Sequence, residues 1–281
     1  MIVNVLKVRT LTAIFLALAV LLSWAEKSDS QPGLGSPKVI QVSDNVIAVT
    51  GLYHSAGRGF GVNAGILFTS NSIIFIDSGM TIASAEFLWR TAAERMKGQK
   101  NLYLILTHHH SDHTFGMRVF KEKGARVIAH AGVNKFLARD NGYYKKFIAK
   151  QSGWNQKEAD EILGDVQLSA PDQTIEKDAI LAIDGEEFRI LFTPGHVPTE
   201  LSVYFPKSGT LFAGDTVYEG SDPTTRFGGP AEWKEWIAQL NRLRKLEGLR
   251  IVVPGHGELC GPEEIDRNIV YLEKKLAQLR Q

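Results

Sequence analysis

Between residues 39 and 76 short β-branched and apolar runs alternate with turn residues: VIQV, VIAV after Asn45, VNAGILF, and SIIFID after Asn71. Runs of this length bounded by Asn, Gly and Ser predict antiparallel hairpins. The eleven residues from Gly51 to Gly61 hold four glycines, which suits either an ordinary hairpin tip or a flap over a pocket. From 81 to 97 the spacing becomes helical, with Phe87, Leu88, Ala92 and Met96 toward a core and Gly98 as the stop. An apolar strand at 102–106 then ends in Thr107-His-His-His-Ser-Asp-His113. Further on, a strand at 210–213 ends in Gly214-Asp215-Thr216. A helix at 231–246 follows, a strand at 250–253 ends in Pro254-Gly255-His256, and 262–279 reads as a last helix.

The two stretches share one order: strand, acidic turn, helix, strand, histidine turn. Asp77 stands 31 positions before His108, and Asp215 stands 41 before His256. Two such β-α-β halves predict two sheets face to face with helices outside, an α/β fold of the αββα four-layer sandwich type. The polar clusters then fall at strand C-terminal ends, where open sheets place their ligand crevices. Between the halves, 141–166 reads as two short helices, and Asn155 with Glu158 gives the second a capping-box start. Tyr143, Tyr144, Phe147 and Trp154 are read as local packing.

Composition narrows the class. At 281 residues and 44% hydrophobic the chain can bury a full core. Its 32 basic side chains nearly balance 31 acidic ones, so nothing favours nucleic acid as a partner. One cysteine, Cys260, excludes an internal disulfide framework and any multi-cysteine metal site; it is either a buried thiol or an intermolecular partner. Lys7 and Arg9, the apolar run 11–22 and Ser23-Trp24-Ala25 compose a secretory signal peptide over 1–25, too short to span a bilayer. Its cleavage would leave 30 basic and 31 acidic side chains, a periplasmic or secreted protein without stable membrane insertion. Residues 26–38 read as a Gly/Pro-broken linker and 39–281 as the catalytic domain.

The chemistry concentrates in a few turns. His108 and His110, two apart where a strand ends, can point into one crevice, and the turn can swing Asp112 and His113 toward a neighbouring point. Imidazole and carboxylate are ligands for Zn²⁺ or a similar ion, and three histidines leave an open position for water. His196 in Thr-Pro-Gly-His, Asp215 in Ala-Gly-Asp and His256 in Val-Pro-Gly-His each follow a glycine just past a strand. Glycine there permits a tight turn and close backbone approach. A polyhistidine surface turn would not need these partners.

Taken together, HxHxDH and its three downstream residues resemble the metallo-β-lactamase superfamily, over about 39 to the C-terminus. The resemblance implies two metals, zinc foremost with iron or manganese as alternatives. His108, His110 and His196 would hold the first, Asp112, His113 and His256 the second, and Asp215 would bridge them. Asp77 would orient the histidine turn. His109 alternates away from both sites, and His130 is read as structural. Tyr53, His54, Tyr218 and Arg226 are candidate substrate contacts, Arg226 through a substrate carboxylate.

Two divalent ions about 3.5–4 Å apart can share a hydroxide at neutral pH, with Asp112 as proton carrier. The expected activity is hydrolysis of a cyclic amide, ester or thioester in a small molecule, a β-lactam or lactone among them. The THHHSDH form resembles glyoxalase II-like thioesterases, and GDT is shared with them and with lactonases, whereas β-lactamases of this type usually carry Cys or Ser where Asp215 stands. Thr-Phe-Gly after His113, the chain's end soon after 279 and the signal peptide depart from a glutathione thioesterase. The alternative within the superfamily is a persulfide dioxygenase-like oxidoreductase using one iron; a metal-binding module without turnover is a third.

Overall fold

Residues 32–54, 61–137 and 141–279 are described by the computed structural model. The leader expected at 1–25, residues 26–31, the tip 55–60 and the side chains of 141–144, Tyr143 and Tyr144 among them, lie outside the described residues.

The first hairpins form β1 (Gly35–Ser43), β2 (Val46–Leu52), β3 (Val62–Phe68) and β4 (Ser72–Ile76), each antiparallel to the next. The linker expectation is corrected from Gly33 onward. Leu34 is buried, Gly35 pairs with Leu52 and Lys38 with Thr50, and Thr81 donates to the Gly33 carbonyl at 2.6 Å. Polar, glycine-bearing residues are tolerated on this edge strand because its backbone bonds, more than its side chains, attach it to β2. Thr81 also caps α1 (Ile82–Ala93), accepting from Ser84 N at 3.0 Å. Helix α1 stops short of the expected 97. Its last turn closes through i→i+3 bonds at Arg95 and Met96, and Met96, expected in the core, is 36% exposed.

The chain continues through β5 (Asn101–Ile105), α2 (Ser111–Thr114), α3 (Met117–Glu122), β6 (Arg126–His130) and α4 (Asn134–Leu137). Next come α5 (Asn141–Ser152) and α6 (Gln156–Leu163), the latter with the expected capping box of Asn155 and Glu158. Of the aromatics read as packing there, Trp154 lies 6.1 Å from the Tyr53 ring and Phe147 is exposed. The second half comprises β7 (Gln173–Ile175), β8 (Ala179–Ile183), β9 (Glu186–Phe192), β10 (Leu201–Phe205), β11 (Thr210–Tyr218), α7 (Pro230–Leu243), β12 (Ile251–His256) and α8 (Glu263–Gln278).

Strands β4, β5, β6 and β7 run parallel, as do β11 and β12. Parallel neighbours need a crossover, and α1 and α7 supply the two that the repeated strand-helix-strand order predicts. Alternation along each strand separates the layers. Ile73 and Phe75 face a cluster with Leu88, Met117 and Phe120, whereas Ile74 and Ile76 face one with Phe188, Val203, Phe205 and Phe212. In the other half Tyr204, Leu211 and Ala213 pack on Trp236, Leu240, Ile265 and Leu272 of α7 and α8. The result is the αββα sandwich. Its two halves are joined at the β3–β12 edge by a single ladder pair, Val62 with His256. The Asn63 amide strengthens that seam, donating to the carbonyls of Pro254 and Gly257, both at 2.9 Å.

Cys260 pairs through its backbone with Val252. Burial, with Glu264, Glu219 and Glu263 nearby, pushes its thiol up to about 12. Its thiolate fraction at pH 8 is therefore small, and iodoacetamide should label it on the order of a hundredfold more slowly than a free thiol; rapid stoichiometric labelling would contradict this placement. The inter-sheet layer offers a second check. A Cβ on Gly65 would lie 2.3 Å from Cε1 of Phe212, so Gly65→Ala should cost about 1–3 kcal/mol in urea denaturation. Adding Phe212→Leu should recover part of that loss, because the two sites share one space.

Candidate metal centre

Each half delivers its polar groups from strand ends. Asp77 follows β4 in the left-handed region (φ 61°), which bends its carboxylate back under the histidine turn after β5. The 193–200 connection between β9 and β10 carries His196 and Glu200. The strand expected at 210–213 runs on to Tyr218, with a register shift at Gly214 that turns Asp215 toward β12. Strand β12 ends on His256 itself. Gly255 is required by close approach: a Cβ there would meet Asp215 Oδ1 at 2.0 Å.

The seven residues singled out as ligands converge on two adjoining seats. In the first, His110 Nδ1 lies 3.0 Å from His108 Nε2 and 3.1 Å from His196 Nε2, and His196 Nε2 lies 3.3 Å from Asp215 Oδ2. In the second, Asp215 Oδ1 is 3.2 Å from His113 Nε2 and 3.5 Å from His256 Nε2. Asp112 Oδ2 is 3.7 Å from the former and 3.3 Å from the latter. Asp215 thus presents one oxygen to each seat. Four ligands at 2.0–2.1 Å in a tetrahedron stand roughly 3.3–3.4 Å apart, which is the spacing of these donors.

Supports fix which nitrogen faces inward. The Asp77 carboxylate accepts from Thr107 N (2.7 Å), Thr107 Oγ1 (2.8 Å) and His113 Nδ1 (2.8 Å). Thr107 Oγ1 in turn accepts from His108 Nδ1 at 3.0 Å, and the Gly61 carbonyl accepts from His256 Nδ1 at 3.1 Å. The opposite nitrogens of His108, His113 and His256 are thereby turned to the seats. Glu200 is buried against His108 Nδ1 (3.4 Å) and accepts from the Asp215 backbone N–H at 3.0 Å. Tyr218, expected at the substrate, is instead buried, with its hydroxyl donating to Asp215 Oδ2 at 2.5 Å. That expectation is corrected: a committed, buried hydroxyl is a support for Asp215.

Sequence reading missed Thr107, Glu200 and Phe227. Thr107 carried no signal beyond adjacency; Glu200, an acid directly before the apolar run LSVYF, did carry one. The Phe227 ring stands 4.4 Å from that of His110 and 5.3 Å from that of His196 at the exposed rim. Arg226 lies over Phe227 at 4.6 Å. His109 stacks on Phe136 at 3.6 Å and bonds Thr199, away from both seats as expected. His130 accepts from Gly132 N and stacks on Phe192, which is structural work. His54 Nε2 approaches Asp112 Oδ2 at 3.4 Å.

The electrostatics differ between seats. Burial, then the neighbouring imidazoles, holds His108 and His110 well below the ordinary histidine range, and burial brings His196 to about 4. The first seat therefore offers neutral nitrogen lone pairs. In the second, burial opposes charge, but Asp77, Asp112 and Asp215 outweigh it and raise His113. Asp215 and Asp112 likewise lift His256 to about 10. Burial likewise opposes ionisation of Asp112 and Asp215, yet the surrounding histidines hold both carboxyls well below their usual range. His113 Nε2 and Asp215 Oδ1, though 3.2 Å apart, are not aligned for a hydrogen bond, and both are buried without a partner. Buried polar atoms left in this way are costly, and a cation between them satisfies both. His108, His110, His196 and Asp215 form one group able to hold a metal ion, and His113, Asp215 and His256 another.

Comparison with known proteins identifies the family and the fold. The profile of the Metallo-beta-lactamase superfamily matches residues 57–256. A metallo-beta-lactamase type 2 of Bacillus cereus is 26% identical over 228 residues, 80% of this chain and 78% of that one. An atrochrysone carboxyl ACP thioesterase of Aspergillus fumigatus is 28% identical over 242 residues, 82% of this chain and 64% of that one. Among solved structures, a metallo-beta-lactamase from Pontibacter korlensis superposes with a TM-score of 0.63 at 20% identity, over 84% of this chain and 99% of the other, a likeness of fold.

Removing Asp77 strands three buried donors at once. Asp77→Ala should therefore destabilise the metal-free chain by about 3–5 kcal/mol in urea denaturation. Asp77→Asn, which tolerates the left-handed backbone, should lose less. A loss within 1 kcal/mol for the alanine variant would deny Asp77 its anchoring part.

Proposed function

The chain belongs to the metallo-beta-lactamase superfamily, and on that premise we propose that it is an exported hydrolase. In this reading it holds two divalent ions, zinc foremost, and opens a cyclic amide, ester or thioester. The observation that carries the proposal is the double use of Asp215, one oxygen in each of two adjoining His/Asp seats. Imidazole and carboxylate donors without thiolate suit zinc and its borderline neighbours. His108, His110, His196 and Asp215 would hold the first ion, and Asp112, His113, His256 and Asp215 the second.

What such a pair would supply when bound is Lewis acidity toward a carbonyl oxygen and a water acidified enough to ionise near neutral pH. The chain's own residues do the rest. His108, His110 and His196 enter as neutral donors, since burial keeps protons off them. Asp77 and the Gly61 carbonyl hold His113 and His256 in the orientation that faces the seat. The Tyr218 hydroxyl, donating to Oδ2, and the Glu200 carboxyl, accepting from the backbone N–H, clamp Asp215 at its side chain and its backbone. Asp112, with Oδ2 between three imidazoles and its side chain 11% exposed, takes a proton from the attacking water and delivers it to the leaving atom. Phe227 and Arg226 offer an apolar surface and a cation at the rim, against which a small substrate with a carboxylate would lie.

The substrate class follows from bond type. The named activities of the relatives, β-lactam opening and thioester cleavage, share attack of water on an acyl carbon, and an aspartate at 215 inclines this chain to the ester and thioester side. Export rests on the leader pattern at 1–25, and none of the described helices is long and apolar enough to cross a membrane.

Elemental analysis of the purified chain should return about two zinc per molecule, and chelation should abolish hydrolysis that added zinc restores. One iron per chain with oxygen consumption would reverse the assignment in favour of an oxidoreductase. In a panel of a chromogenic cephalosporin, a lactone and a thioester, Asp112→Ala should lower kcat by roughly 10²–10⁴ on whichever substrate is turned over; an unchanged kcat would remove Asp112 from proton transfer.

A further inference from the structure

His54 is a histidine that neither seat uses. It sits just past β2, where Tyr53 N donates to the Leu34 carbonyl at 2.9 Å and the Tyr53 ring packs near Trp154. The backbone before it is therefore anchored on both sides. Its ring meets the His256 ring edge-on at 5.0 Å. Its Nε2 lies 3.4 Å from Asp112 Oδ2, which is itself 3.3 Å from His256 Nε2. These separations are beyond a good N–H···O bond, but they equal the ligand-to-ligand spacing of a tetrahedral site, roughly 3.3–3.4 Å. The three donor atoms all lie within 4.8 Å of one another, a grouping distinct from that of His113, Asp215 and His256.

We propose that His54 is a metal ligand, and that with Asp112 and His256 it forms an outer position of the second seat for a divalent transition cation. This rests on the two-ion reading above. The outer and inner positions share Asp112 Oδ2 and His256 Nε2, so a single ion divides its time between them. They differ in access: the His54 side chain is 18% exposed whereas that of His113 is fully buried. The outer position is the one a hydrated cation meets first, and Asp112 and His256 keep hold of the ion as it exchanges His54 for the inner pair. His54 thus sets how tightly and how fast the second ion is held, while the first seat, built from other residues, does not depend on it.

The test is titration of the metal-free full chain with Co²⁺, following the visible ligand-field bands and the hyperfine-shifted imidazole N–H resonances. The parent should take up two equivalents and show a shifted resonance assignable to His54. His54→Ala and His54→Gln should bind the first equivalent unchanged and the second roughly two- to tenfold more weakly, the loss expected when half to nine-tenths of the second ions rest against His54, and the His54 resonance should vanish. Two equivalents bound with parental affinity in both variants would overturn the role of His54 and leave the two-ion reading intact. A parent that binds one equivalent or none would overturn both.

Discussion

The site depends on one buried carboxylate. Asp77 takes three hydrogen bonds from the turn that carries the HxHxDH residues, two from Thr107 and one from His113. It reaches them only because its own backbone is left-handed, an unusual conformation for a non-glycine residue. Through Thr107 it determines which His108 nitrogen faces inward, and it does so directly for His113. One acid at the end of β4 therefore orients a ligand in each seat, so the two are coupled before any ion is present. The strain at Asp77 and the buried charge are tolerated because every donor that surrounds the carboxylate is satisfied by it.

The same economy recurs in the second half. Asp215 is held by a tyrosine hydroxyl at one oxygen and by the Glu200 contact to its backbone, and Gly255 leaves room for its other oxygen. The first seat gathers neutral imidazoles; the second gathers two acids with two histidines whose affinity for protons they raise. A group that draws protons strongly in the empty site is one that a cation relieves, since both are positive charge placed among the same carboxylates. The chemistry expected of the chain follows from this asymmetry, with lone pairs on one side and negative charge on the other.

Much of this was legible in the sequence. The strand-helix-strand order repeated around Asp77 and Asp215 predicted the parallel pairs β4–β5 and β11–β12 and the four layers, because crossover length and apolar alternation are local properties. The seven residues that converge on the two seats were legible because each stands in a turn just past a strand or at its end, in company with a glycine or with several histidines. What escaped reading was whatever depends on long-range contact. Residues 33–38 look like a linker until the edge of β2 is there to bond them, and Met96 keeps helical spacing although α1 has already ended. Tyr218 looked like a substrate contact, and only the turn of the bulged strand shows its hydroxyl spent on Asp215. Thr107 and Glu200 act through hydrogen bonds to partners far along the chain, which no spacing encodes.

The halves pack face to face through the apolar layer between their sheets and meet edge to edge at one ladder pair and the Asn63 amide, while the groups of each seat come from both sides of that seam. Ions lodged there would act as rivets between two plates, and their binding energy would also be docking energy for the halves. A chain with only one half folded has nowhere to keep them. Metal bound at such a seam would be linked to the docking of the two plates as well as to the chemistry between them.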